Sequence, residues 1–257
     1  MPLMKIDEDF TMYYVDEGQG DVIVLIHGLG GSHSSYELQL HELSKQFRCI
    51  VPDLRGYGCS DDTDTDYTFT ELAMDIVTLL DKLGINNANL VGISMGGMIT
   101  QRIMIDYPEY VIKAILTATA PCQQDKGKRV YIDFIKDMNF DITTIARWAS
   151  EQLFPREENE QQRKEYIHNY EKNRKATFRK NYEEIYRFDH REALKKCNME
   201  VLVLHSIDDP LVDIHFGYLL ADLLKHSSIS VYQDAGHMPH KNKPQLFNND
   251  IIQFFSK

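Results

Sequence analysis

The segment Gly92-Ile93-Ser94-Met95-Gly96 is the strongest signal in the chain for side chains that could make and break bonds. An apolar run (residues 89–93) leads into it, and a helix-forming run (residues 96–107) leads out until Pro108 stops it. A serine on such a turn sits on strained backbone with its hydroxyl exposed, and only small flanking residues permit the close approach. A hydroxyl is a weak nucleophile without a base, and the base needs an acid to orient it. Of the ten histidines, His237 in Asp234-Ala235-Gly236-His237 follows the last strand-like run and is the preferred base, with His240 its local rival. His205 lies in an apolar run and reads as a core histidine. His33, His41, His168, His190, His215 and His226 lack motif support and read as surface positions. Asp208, Asp209 and Asp213 follow the strand-like run 201–205. Asp209, ahead of Pro210-Leu211-Val212, is preferred as the acid, and Asp208 reads as a loop-capping residue. His27-Gly28-Leu29-Gly30-Gly31 follows another apolar run. Its Leu29 N–H and the N–H of Met95 are the candidate donors to a developing oxyanion. His27 itself reads as a brace for that loop.

These groups need a scaffold. Residues 22–26 (VIVLI) form a continuous apolar run, as expected of a strand buried on both faces of a parallel sheet. Further strand-like runs lie at 10–15, 49–52, 111–118, 201–205 and 229–232. Between them fall helix-period patterns. One spans 34–45, with Leu38, Leu40 and Leu43 inward. Another spans 70–83, with Thr70 as cap and Gly84 as stop. Two more lie at 214–225 and 244–255. From 122 to 190 the alternation is replaced by a charged, mostly helical pattern. The expected fold is α/β, a mostly parallel sheet flanked by helices. Residues 1–121 and 191–257 would form the core and 122–190 a helical cap.

The chain has 257 residues and a net charge of −11. The 122–190 segment holds 14 of the 28 basic and 13 of the 39 acidic residues, so it carries +1 and the rest −12. An acidic chain argues against broad nucleic-acid binding, which needs a basic face. The 43% hydrophobic content argues against disorder. Cys49, Cys59, Cys122 and Cys197 are scattered without a CxxC pair, so a disulfide framework or structural zinc is not expected. MPLMKIDEDF meets acids by position 7, and no apolar run approaches the ~20 residues of a membrane span, so a soluble cytoplasmic protein is expected.

In this order the motifs resemble those of the α/β-hydrolase superfamily, over essentially the whole chain. His27-Gly28 resembles its oxyanion turn. Asp53-Leu54-Arg55-Gly56-Tyr57-Gly58-Cys59-Ser60 resembles its structural DxRGxGxS segment. Ser94 lies in a GxSMGG elbow, Asp208-Asp209 resembles the acid turn, and Gly236-His237 the GH pair. The motifs are closest to those of 3-oxoadipate enol-lactonases, small carboxylesterases and cofactor-free haloperoxidases. One departure is Asn242, where the family often has Glu. The resemblance implies Ser94, Asp209 and His237 as catalytic residues and Leu29 and Met95 as oxyanion donors. It also implies a small-molecule ester or lactone substrate, with no metal or organic cofactor and no nucleic-acid or membrane partner. Carbon–carbon or thioester hydrolysis on the same triad, and a ligand-binding signalling protein with slow hydrolysis, are the alternatives. Segment 122–190 would roof the site, and Arg129 or Arg147 could meet a substrate carboxylate.

Overall fold

In the computed structural model, which describes residues 2–62, 67–154 and 160–256, the Val22–Ile26 run is the third strand, β3, with four of its five residues buried. Successive side chains leave a strand on opposite faces. Ile23 and Leu25 therefore pack with Leu43, Phe47, Phe247 and Ile251 on one side. Val24 and Ile26 pack with Leu72, Ile76, Leu80 and Ile99 on the other. The remaining strands are β1 (Leu3–Lys5), β2 (Thr11–Glu17), β4 (Arg48–Pro52), β5 (Ala88–Ile93), β6 (Val111–Thr117), β9 (Glu200–Ser206) and β10 (Ser227–Tyr232). A small hairpin comprises β7 (Gln124–Asp125) and β8 (Lys128–Arg129). The main sheet has eight strands in the order β1-β2-β4-β3-β5-β6-β9-β10, with only β1 and β2 antiparallel to their neighbours. The mostly parallel α/β fold expected from the sequence is the fold observed.

The helices are α1 (Glu37–Leu43), α2 (Phe69–Lys82), α3 (Met95–Asp106), α4 (Asp133–Asp137), α5 (Ile142–Leu153), α6 (Glu160–Tyr170), α7 (Lys175–Arg187), α8 (Arg191–Leu194), α9 (Ile214–Leu223), α10 (Pro239–Asn242) and α11 (Pro244–Phe255). Two local expectations change. Thr68, not Thr70, caps α2, because Thr68 and Glu71 form a reciprocal capping box that Thr70, with Ala73 three residues on, could not make. The expected helix at 34–45 is a 3-10 turn (His33–Tyr36) followed by the shorter α1. Tyr36, Gln39 and Leu43 take its inner face, and Leu38 is 46% exposed.

Between β6 and β9 the chain forms the hairpin and then α4 to α7, and this segment packs on the turns that carry the candidate site. Tyr131 N–H donates to Leu211 O at 2.7 Å, beside the acid turn. Asn173 Nδ2 donates to Gly30 O at 3.1 Å. Asn181 Nδ2 donates to Tyr57 Oη at 2.9 Å. Its aromatic residues pack mainly on one another: Phe134 stacks on Trp148 with centroids 4.0 Å apart, and Tyr170 lies between Tyr166 and Phe178. Among the described residues, no helix is long and apolar enough to cross a membrane, and no group of three His, Cys, Asp or Glu side chains could hold a metal ion.

Candidate active site

Ser94 follows β5 and directly precedes α3, with φ +55°. That backbone is costly for any residue with a Cβ and persists only where the surroundings impose it. Here Ser94 N–H donates to Thr117 O at 2.9 Å, and Thr119 Oγ1 donates to Ser94 O at 2.8 Å. The flanking glycines are steric requirements. A Cβ on Gly92 would run into Thr100 Oγ1 and Gly96 O, and one on Gly96 into the carbonyl oxygens of Ile26 and His27. Met95 is the first residue of α3, so its N–H has no intrahelical acceptor.

The turn after β3 is closed by Gly31 N–H donating to Gly28 O at 3.1 Å, which leaves the Leu29 N–H outside the turn's own bond. His27 is fully buried beneath it. Leu54 N–H donates to His27 Nε2 at 3.1 Å, so Nδ1 carries the proton and donates to Gly28 O at 2.8 Å. Burial lowers the His27 pKa against the pull of Asp53, which keeps the ring a neutral strut.

Beyond β9, the two adjacent aspartates divide. Asp208 accepts from Ala235 N–H at 3.3 Å and Gly236 N–H at 3.2 Å, and so holds the loop that carries His237. The Asp209 side chain is fully buried. Its carboxylate accepts from Leu211 N–H and Val212 N–H, both at 2.9 Å, and from His237 Nδ1 at 2.8 Å. Burial alone would raise its pKa. The facing His237, then His205 and the Val212 N–H, outweigh that and hold the carboxyl below its usual range. Asp213 caps α9 through His215 N–H and pairs with Lys128.

The rival histidines separate by their partners. His205 is buried and donates from Nε2 to Val212 O at 2.8 Å, with Nδ1 unpartnered. His240 is buried against Tyr36 and Phe247 and has no carboxylate partner among the described residues, and burial lowers its pKa strongly. Three positions read as surface have other roles. His190 is buried between Phe69 and Phe188, 3.3 Å from Gln101 Oε1. His33 pairs with buried Asp53 at 2.9 Å, and His215 with Asp125 at 2.8 Å. Both bridges join segments far apart in the chain, which local spacing does not reveal.

Ser94, Leu29 and His237 open onto one cavity of about 180 Å³, whose far walls come from α5, α6 and residues 130–134. Arg129 pairs with Asp133 and Arg147 is exposed, and neither lines it. Its polar end instead holds Lys241, with Ser34, Glu37 and Glu165. No motif marks Lys241; its position depends on a contact 207 residues away in sequence. Asn242, where the resemblance led to an expected glutamate, donates from Nδ2 to Ala235 O at 2.9 Å and braces the same loop.

A family model described as alpha/beta hydrolase fold matches residues 21–130. The chain is 26% identical over 250 residues to 3-oxoadipate enol-lactonase 2 of Acinetobacter baylyi, covering 95% of this chain and 92% of the relative. The enol-lactonase of Burkholderia xenovorans LB400 superposes with a TM-score of 0.90 at 22% identity over 100% of both chains. An esterase of Exiguobacterium antarcticum superposes with a TM-score of 0.89 at 24% identity over 96% of both. This partial sequence match and this shared architecture show that the chain has the α/β-hydrolase fold.

Proposed function

We propose that the protein cleaves a carboxylic ester or lactone of a small molecule by acyl transfer through Ser94, His237 and Asp209. The observation that carries this reading is the 2.8 Å contact between His237 Nδ1 and buried Asp209, on a cavity that Ser94 also lines. With Nδ1–H bound to the carboxylate, Nε2 is the basic nitrogen of neutral His237. It takes the Ser94 proton as Oγ attacks the carbonyl carbon. The Leu29 and Met95 N–H groups meet the oxyanion, and protonated His237 then gives its proton to the leaving alkoxide. Water, deprotonated by the same nitrogen, hydrolyses the acyl-enzyme and restores Ser94. Asp209 stays ionised throughout and stabilises the imidazolium. The described residues of the 122–190 segment act as a lid that shapes the pocket and limits water at the reacting carbon.

The test is turnover on a panel of p-nitrophenyl esters of graded acyl length and several lactones. A fluorophosphonate probe in parallel reports whether Ser94 is activated. The expected result is many turnovers per enzyme, labelling at Ser94, and at least a roughly 10³-fold loss of kcat in Ser94→Ala. Full activity in Ser94→Ala would sink the assignment, and single-turnover behaviour would favour a ligand-binding role.

A further inference from the structure

Acyl transfer leaves the polar end of the cavity unused. Lys241 on α10 reaches across to the chain just after the oxyanion turn, where Nζ donates to Ser34 O at 3.2 Å. An ammonium has three N–H donors. Ser34 takes one, and among the described residues the other two have no acceptor. Glu37 and Glu165 also line the cavity, but both are exposed, and they act on Lys241 through space without forming an ion pair. Water and salt screen exposed carboxylates, whereas an ammonium withdrawn from water keeps its field. Beside it, His240 is buried and held neutral, with Nδ1 unpartnered, so it adds no competing charge. Burial pulls the Lys241 pKa below the usual lysine range while the two glutamates oppose the shift. An inward cation with unused donors is therefore built into the wall that joins the His237 loop to the Leu29 turn.

We propose that Lys241 anchors a carboxylate of the substrate, so that the preferred esters or lactones are small molecules carrying a free acid group. This deepens the acyl-transfer reading and rests on it. The anionic oxygen would take the two spare N–H donors, while the apolar walls cover the carbon chain between the acid and the scissile carbonyl.

Calorimetric titration of Ser94→Ala protein with monomethyl glutarate and with dimethyl glutarate reads the binding without turnover. The monoanion is expected to bind at least tenfold more tightly. That preference should vanish when Lys241→Met is added and persist with Lys241→Arg. In the Ser94-intact enzyme, the ratio of kcat/KM for a p-nitrophenyl glutarate monoester over p-nitrophenyl valerate should fall at least tenfold in Lys241→Met. Equal affinity for the two glutarates, no detectable binding of the monoanion, or a preference that survives Lys241→Met each overturns the anchor. The two readings fail separately. Hydrolysis through Ser94 without carboxylate preference removes only the anchor, whereas carboxylate preference without hydrolysis removes only the acyl-transfer reading.

Discussion

Asp209 Oδ2 lies 2.8 Å from His237 Nδ1 and 3.7 Å from His205 Nε2, so one buried carboxylate faces two imidazoles. It receives a proton from only one, because His205 Nε2–H is committed to Val212 O. The carboxylate therefore fixes the tautomer of His237. Asp209→Asn keeps the shape but can present an amide N–H where an acceptor is needed. We expect kcat for ester hydrolysis to fall by about 10⁴ with a native circular dichroism spectrum. A loss below tenfold would show that Asp209 does not orient the base.

Asp208 tests the same loop from the backbone side. Its carboxylate holds two N–H groups just before His237. Asp208→Ala leaves them to find water, at a cost of about 1–3 kcal/mol in urea unfolding. Because His237 loses a support rather than its partner, kcat should fall by only about 10–100-fold. A fall as large as that of Asp209→Asn would mean that the two aspartates do not divide their roles as their contacts indicate.

The histidines give the fold a pH dependence with a definite sign. Burial, aided by nearby Arg102, lowers the His190 pKa from 6.5 to about 4. Between those values the unfolded chain binds a proton that the folded chain does not. Stability is therefore fully present above about pH 6.5 and declines as pH falls toward 4, by about 3 kcal/mol for this residue. His27, His205 and His240 are shifted in the same direction. Urea midpoints at pH 7 and pH 4.5 should differ less in His190→Gln than in the unaltered protein. An unchanged difference would remove His190 from this account.

What was legible in the sequence follows from the range of the forces involved. The β3 run, the glycine-flanked Ser94 turn and α11 each carry a pattern that spans only a few residues, although Thr117 and Thr119 are what hold the Ser94 backbone. Asp209 and His237 each sit in a short motif, although the contact between them spans 28 residues. Long-range packing left no such trace. His190 looked like a surface histidine because Phe69 and Gln101, which enclose it, lie on α2 and α3. Leu38 looked buried because Tyr36 rotates the inner face of α1. Lys241 carried no signal because its partner is a backbone carbonyl, which has no sequence identity to read.

A hydrogen bond from the α6–α7 connection ties the helical segment to the turn after β3, where the proposed oxyanion donor Leu29 lies. Asn173 Nδ2 donates to Gly30 O at 3.1 Å and to Tyr170 O at 2.8 Å, and the Tyr170 ring fills the space a side chain at position 30 would need. The carbonyl held by Asn173 lies one residue beyond Leu29, whose N–H is a proposed oxyanion donor. Loss of the tie lets that N–H drift, and an oxyanion is more sensitive to donor placement than a ground-state carbonyl. Asn173→Ala should therefore lower kcat by roughly tenfold while fluorophosphonate still labels Ser94, because the hydrogen bonds of Asn173 go to Gly30 O and Tyr170 O and not to the proposed nucleophile or its proposed base. If KM rose with kcat unchanged, Asn173 would instead serve the pocket wall, and the proposed link between the helical segment and the oxyanion turn would fail.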